Sequence, residues 1–459
     1  MQSPRERLLS PLPMIHSFLK TTVRFAKFPH IIVLILLFAA ATSPHATSAV
    51  VTANGFQINL NRRPFVIKGM NYSPVPIGTA PGFVPYGDYF IPYYANVWKP
   101  DVDNMRAAGI NVIKLYAGNP DLNWGAPGTA GNWKAFLDYC YNGGNKPIHV
   151  VMFSYTQGDV IAQGGTGFND YIRQYDELVK STVTHPAVFG FLVGNEIFGG
   201  GVTQNPQFWT NFGRLIDAAQ GAGLSQRQNP FLMTAINDEY TPQTSWPAIK
   251  LGEQSGKLRN LDSWCINIYR GAEFGGVNNS VFTQYAALMQ SLSVTKPLIL
   301  GEWGTPHTTR PIGVYGQSST QPVANLDDVP ESQMGRGQPY FAAQPVATFL
   351  NTQWDTIKAN IGAGNSQVCA GGFIFDWCDE YWKGNNNNMQ IGGPAAGFQG
   401  GAFAGGYWDE AGFGVTSAVD QSKYGHGNRN ISRTLFKGYG ATKTFYNASS
   451  DSGGELYHR

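Results

Sequence analysis

Eight short runs of apolar and branched residues recur along this chain at nearly even intervals. They are "FVIKG" at Phe65, "VIKLY" at Val112, "HVVMF" at His149, "VFGFLVG" at Val188, "FLMTAI" at Phe231, "WCINIY" at Trp264, "PLILG" at Pro297 and "GGFIF" at Gly371. The first seven begin 33 to 47 residues apart, the length of one strand plus one crossover helix. Runs without a polar face are strands buried on both sides, as in a parallel sheet covered by helices. Segments with helical spacing lie between them. Asp101 to Ala108 follows Pro100 and stops at Gly109, and "FNDYIRQYDELVKSTV" from Phe168 repeats the pattern. So do "NPQFWTNFGRLIDAAQ", "SVFTQYAALMQSLS", "PVATFLNTQWDTIKANI" and, after the eighth strand, "ISRTLFKGYGATKTFY". Eight such units in series predict an α/β chain closed into a (β/α)8 TIM barrel.

A barrel of this kind typically takes about 250 residues, and the excess here is visible. Insertions rich in Gly, Asn and Pro run from Pro74 to Lys99, Thr305 to Tyr340 and Lys383 to Ser417, each starting at or near the C-terminal end of a strand. That rim is where barrels hold their sites. The loops are therefore expected to wall a groove lined by aromatics such as Trp98, Tyr116, Trp124 and Trp377. Before the first strand, "VVTANGFQINLNRRPF" reads as a hairpin with an Asn-Gly turn, placed to close the barrel floor. At the N-terminus, basic residues precede "IIVLILLFAAA" at Ile31 to Ala41, a run shorter than the roughly 20 residues a membrane span needs and suited to a signal h-region. Residues 1–49 are expected to be a signal peptide or an uncleaved signal anchor, and 50–459 a single barrel domain. The expected location is secreted or extracellular, with membrane anchoring through the N-terminal segment as the alternative. In that compartment Cys140, Cys265, Cys369 and Cys378 can form disulfides in three pairings. Sequons at Asn278, Asn430 and Asn447 would be glycosylation acceptors in a eukaryotic host, whereas Asn71 sits too close to a strand end.

Charged residues make up only 14% of the chain and the net charge is +2, so nothing electrostatic calls for nucleic acid or an acidic partner. Aromatic content is 13%, with 11 Trp and 22 Tyr, which suits a surface that stacks on sugar rings. There is no GxSxG elbow, HExxH, P-loop or dinucleotide fingerprint, and no metal or organic cofactor is expected. Against this low-charge background the end of the fourth run is conspicuous. "VFGFLVGNEIFGG" places Asn195 and Glu196 where a buried strand leaves the core, and a carboxylate there is costly unless it is paired or serves a site. "LILGEWG" places Glu302 at the end of the seventh run. Two acids converging from different strands on one rim are what glycoside hydrolysis requires: one protonates the leaving oxygen and the other attacks or stabilises an oxocarbenium-like centre.

An Asn-Glu pair ending strand four and a Glu ending strand seven resembles clan A of the retaining glycoside hydrolases, over roughly Gln57 to Phe445. The resemblance implies that Glu196 is the acid/base, that Asn195 binds the sugar 2-hydroxyl, that Glu302 is the nucleophile and that Tyr269 contacts it. It also implies Trp377, from "FDWCDEYW", as the floor of the first subsite. Within the clan, "FVIKGMNYSP", "AGINVIKLY" and "GFLVGNEI" are similar to family 72, the β-1,3-glucanosyltransferases, and to barrel domains of families 2 and 5. Many relatives carry Arg where this chain has Lys114, which keeps the charge but loses the planar fork; Lys114 reads equally as a site residue or an interior ion pair. Trp303 reads as packing, Asp376, Asp379 and Glu380 as braces of the strand-eight loop, and "GHG" at Gly425 as a turn. His307 is a lone histidine near the cleft. The expectation is a secreted retaining β-glycosidase or transglycosidase acting on an oligo- or polysaccharide, a β-glucan foremost, with a non-catalytic sugar-binding barrel as the alternative.

Overall fold

The computed structural model describes residues 48–81, 89–116, 133–199, 201–237, 242–275, 280–309, 324–325, 345–362, 367–384, 403 and 410–449. The N-terminal signal segment, Trp124, the sequon at Asn278 and most of the insertion after the seventh barrel strand lie outside them. Among the described residues, no helix is long and apolar enough to cross a membrane.

The eight runs form one closed, parallel barrel. In chain order its strands are β4 (Ile67–Tyr72), β5 (Val112–Leu115), β6 (His149–Ser154), β7 (Val188–Asn195), β8 (Leu232–Asn237), β9 (Ser263–Asn267), β10 (Leu298–Trp303) and β13 (Cys369–Ile374), which closes onto β4. The strands β1 (Val51–Asn54), β2 (Gln57–Leu60) and β3 (Arg63–Phe65) precede the barrel as a small antiparallel sheet, and β11 (Thr308–Thr309) pairs with β12 (Ala324–Asn325). The first barrel strand thus starts two residues later than its apolar run, because Phe65 belongs to the antiparallel sheet. That sheet is the floor. Val51, Ile58 and Phe65 join the barrel interior of Ile67, Val112, Val151, Phe189, Met233, Cys265, Ile299 and Phe373, and the Phe65 ring lies 5.7 Å from that of Phe189.

Around the barrel run α1 (Ala95–Ala107), α2 (Lys134–Tyr141), α3 (Gly158–Gln163), α4 (Gly165–Thr182), α5 (Pro206–Ser225), α6 (Pro242–Gln254), α7 (Val281–Leu292), α8 (Val346–Ala359) and α9 (Lys437–Asn447). Their apolar stripes fill the layer outside the strands, with Trp98, Phe136, Tyr175, Phe212, Trp264 and Trp354 among its large side chains. Helix α1 starts before Pro100 rather than at it. A proline inside a helix cannot donate to the carbonyl four residues back, and here the freed Asn96 carbonyl accepts from Ile431 N at 3.0 Å. The Asn96 side chain also donates to the carbonyls of Lys423 and Arg429 and accepts from Gly425 N. The proline therefore docks the C-terminal segment onto the barrel wall. Two helices had no clear periodic signal: α2 is short, and α6 is interrupted by Pro247.

The four cysteines do not form disulfides. All are buried free thiols on separate elements, with Cys265 inside the barrel and Cys140, Cys369 and Cys378 in the layer outside it. Asn71 is fully buried and donates to the carbonyls of Gly301, Phe373 and Ile374, so it ties β4 to β10 and β13 and is closed to modification. Asn430 and Asn447 are exposed.

Candidate active site

The C-terminal rim of the barrel opens into a cavity of about 290 Å3 lined by Asn195, Glu196, Glu302, Tyr269 and Tyr116. Side chains alternate along a strand, so each barrel strand sends a ladder of residues up the interior. On β5 the ladder runs from Val112 at mid-height through Lys114 to Tyr116; on β9 it runs from Cys265 through Asn267 to Tyr269. Strand β10 departs from this rule. Ile299 faces the interior and Trp303 the outer layer, so strict alternation would turn Glu302 away from the cavity. The register with β9 shifts between Leu300 and Glu302, and that irregularity turns the carboxylate inward. Strand β7 shifts register with β8 between Leu192 and Asn195. There the left-handed backbone of Gly194 (φ 83°) and Glu196 (φ 56°) aims the acid into the cleft. A left-handed glutamate is a strained residue of the kind found at functional sites.

Glu302 is held from three sides. Tyr269 donates its hydroxyl to Oε2 at 2.9 Å, Tyr116 donates to Oε1, and the Lys114 ammonium lies 3.7 Å from Oε1. Lys114 is fully buried, and burial pulls its pKa below the ordinary value while the Glu302 charge opposes. Burial, then the Glu302 charge, raises the Tyr116 hydroxyl well above its ordinary value, so it stays a donor. Glu196 is held differently. Asn267 donates to its Oε1 at 2.8 Å and to Asn195 Oδ1 at 3.3 Å. Enclosure by the cleft walls, then the charge of Glu302, pushes the Glu196 carboxyl up to about 7. Its side chain still meets cleft water, and a ligand that displaces this water would push it further the same way.

Of the residues predicted for the site, Glu196, Glu302, Asn195, Tyr269 and Tyr116 line the cavity, and Lys114 lies directly beneath it. Tyr116 was expected on the groove wall; its hydroxyl is bonded to Glu302. Trp377 and Trp98 are not in the cleft. Trp377 is completely buried in the outer layer against Tyr439, and Trp98 packs on Phe136. Strand β13 ends at Ile374, so the alternation that runs through Phe373 reaches only Phe375, which is the aromatic on the cavity wall. Trp303 packs on Trp354, and His307 is buried on Asp379 at 3.0 Å, which makes both structural.

Several residues were not identified from the sequence. Asn267 is one, an amide whose only sequence signal is its place two residues below Tyr269. Tyr155, Phe413 and Trp382 are aromatic wall residues, and Glu380, Lys383 and Glu410 bring charge to the same cavity. The insertions after the first and eighth barrel strands do supply walls, through Pro81 and through Lys383, Glu410 and Phe413. Among the described residues no group of three His, Cys, Asp or Glu side chains is arranged to hold a metal ion.

Gly301 has a clear reason to be glycine. A Cβ there would lie 2.4 Å from Asn267 Oδ1, displacing the amide that steadies Glu196. Gly301→Ala is expected to lower kcat about tenfold, the loss attached to one displaced hydrogen bond of about 1.4 kcal/mol, with KM little changed. Unaltered kcat in that variant would remove Asn267 from the site's support.

No protein-family model and no curated protein sequence matches the chain. Among solved structures, it is similar to a GH2 β-galacturonidase from Eisenbergiella tayi bound to glycerol, with a TM-score of 0.51, 14% identity, and coverage of 88% of this chain and 54% of that one. The same enzyme bound to galacturonate matches equally. Gas2p of Saccharomyces cerevisiae in complex with laminaripentaose gives a TM-score of 0.52 at 12% identity, covering 88% of this chain and 70% of that one. The chain therefore spans about half the length of the bacterial enzyme. Likeness at these identities establishes the shared barrel fold.

Proposed function

We propose that the chain is a retaining β-glycosidase or transglycosidase acting on a polysaccharide, a β-glucan foremost, through a two-carboxylate double displacement. One observation carries this reading. Two carboxyls on one cavity have environments that set them apart: Glu196 is raised to about 7, while Glu302 receives two tyrosine hydroxyls and a nearby ammonium. Two carboxyls in such different surroundings divide the acid and nucleophile roles between them. Glu196 donates its proton to the leaving oxygen as Glu302 attacks the anomeric carbon. Once Glu302 is esterified its charge is gone, and with it the second cause of the raised Glu196 pKa. Glu196 then falls toward its ordinary value and takes the proton from the incoming water or sugar hydroxyl. Hydrolysis and transfer share this intermediate, and product analysis separates them. Support for a glucan comes from the fold shared with a protein seen holding laminaripentaose, and from the aromatic walls of the cavity. No described feature favours the non-catalytic alternative.

The sign of the pH dependence follows from the Glu196 shift. The proton is present below the raised pKa and lost above it, so kcat/KM should fall tenfold per pH unit above about 7. Glu196→Gln cannot titrate and should lose this basic limb together with about 10²- to 10⁴-fold in rate on substrates with poor leaving groups. Screening of glucans, mannans, xylans and galactans with pH profiles checks both. A wild-type profile flat through pH 6 to 9 would sink the assignment of Glu196.

A further inference from the structure

Three charged residues on the cavity wall take no part in this mechanism. Glu380, Lys383 and Glu410 line the cavity with the two catalytic acids, and all three come from the loop after the eighth barrel strand. Lys383 Nζ lies 3.0 Å from Glu380 Oε2, 4.4 Å above the Phe375 ring and 5.5 Å from that of Trp382. Glu380 is nearly buried. The two arms of the loop are stitched together by the backbone: Asp376 N donates to Phe413 O, Glu380 N to Ala411 O, and Val415 N to Asp376 O. The cluster is therefore fixed in place before any ligand arrives.

The charge around the cavity is unbalanced. Among the described residues the cavity is lined by Glu302, Glu380 and Glu410, by Glu196, which holds a proton in the proposed mechanism, and by one ammonium, Lys383, and the Lys114 ammonium lies beneath Glu302. Lys383 is already neutralised by its neighbours, since the charges of Glu380 and Glu410 both act to hold its proton. A substrate carboxylate would meet like charge here, and among the described residues lining the cavity the one ammonium is already paired with a carboxylate; like charges brought together in a recess are strongly disfavoured. Hydroxyls meet the opposite situation. Carboxylates accept, an ammonium donates, and adjacent hydroxyls on a neutral hexose do both.

We infer that Glu380, Lys383 and Glu410 form a charge filter that admits a neutral hexose and rejects a uronate. This rests on the proposed glycosidase reading and narrows its substrate class. It also sets the chain apart from one of its structural neighbours, a β-galacturonidase seen with galacturonate bound.

The test compares neutral β-glycans with the same polymers oxidised at C6 to carboxylates and with the methyl esters of those carboxylates, so that the acid and its ester differ in charge. Wild-type protein should favour the neutral polymer by about 100-fold in kcat/KM. Glu410→Gln and Glu380→Gln should each narrow that ratio by about tenfold while still cleaving neutral glycan. Calorimetric binding of neutral and C6-oxidised oligosaccharides to Glu302→Gln reads the same preference without turnover. A preference for the oxidised polymer, or a ratio unmoved by both variants, would overturn the filter while leaving glycosidase activity intact. Failure of wild type to cleave any glycan would overturn the functional reading; binding by Glu302→Gln then decides the filter separately, and equal or absent binding of the two oligosaccharides counts against it.

Discussion

Glu302→Ala is expected to abolish turnover, with a loss on the order of 10⁴-fold or more, as when the nucleophile of a covalent mechanism is removed. The geometry makes the loss specific. Tyr269 and Tyr116 each give their hydroxyl to one Glu302 oxygen, and Lys114 stands beneath, so the carboxylate is positioned and cannot be replaced by a neighbour. Alanine opens a space at the reacting centre, and azide entering it should restore turnover by attacking the anomeric carbon once, giving a glycosyl azide of inverted configuration. Glu196→Ala should behave differently. Substrates with a good leaving group need little protonation, so the covalent intermediate should form and then persist for want of a base. Azide should discharge it with retained configuration, because two displacements have then occurred. The two azide products, distinguished by NMR, separate the roles in a way that loss of activity alone cannot. Full activity in either variant on the natural glycan, or inverted azide from both, would reject the assignment. A circular-dichroism melt of Glu302→Gln controls for the buried Lys114, which loses its charged partner in either substitution.

How much of this was legible in the sequence depends on which physical rule governed each residue. The barrel was legible because burial on both faces of a strand leaves a continuous apolar run, and eight such runs at even spacing leave few topologies. That two acids reach one cavity was legible for a related reason: each ends an apolar run, and strands of one parallel barrel bring their ends to the same rim. What placed them was not legible. Glu302 faces the cavity because β10 shifts register below it, and Glu196 because its own backbone is left-handed; neither irregularity has a residue signature beyond nearby glycines. Trp377 was misplaced because it was carried over from the resemblance alone: β13 stops at Ile374, and beyond it the chain turns Trp377 into the outer layer. Asn267 was missed because an amide within "WCINIY" looks like an ordinary strand residue. It becomes a site residue only when β7 brings Glu196 to within 2.8 Å of it. The charge cluster of Glu380, Lys383 and Glu410 was missed because it is assembled from two loop arms about thirty residues apart, a separation over which sequence patterns carry no distance.

Asp101→Ala should cost about 3 to 5 kcal/mol of stability, the range for stripping one partner from a buried ion pair. Asp101 and Arg433 are both buried, and they meet in a two-point fork: Nε to Oδ1 at 2.8 Å and Nη2 to Oδ2 at 3.0 Å. Tyr72 adds its hydroxyl to Oδ2 at 2.9 Å, and Arg433 also donates to Ser417 O and to the Tyr424 hydroxyl. Removing the carboxylate would strand a guanidinium with no counter-charge in the interior, which is why the loss should exceed that of a surface pair, typically below about 1 kcal/mol. The pair also reaches the active site through the backbone. Asp101 sits on α1, whereas Arg433 belongs to a segment that pairs with Thr416, which in turn pairs with Cys378 in the loop after β13. That loop carries Phe413, Glu410 and Trp382 on the cavity wall. Asp101→Ala should therefore raise KM as well as lower the urea midpoint, while Asp101→Leu combined with Arg433→Met should recover most of the stability, since a well-packed apolar replacement of a buried pair is often near neutral. Urea denaturation followed by tryptophan fluorescence measures the first effect and steady-state kinetics the second. A single-variant loss below about 1 kcal/mol, or a double variant no more stable than Asp101→Ala, would show that the pair does not hold α1 to the loop.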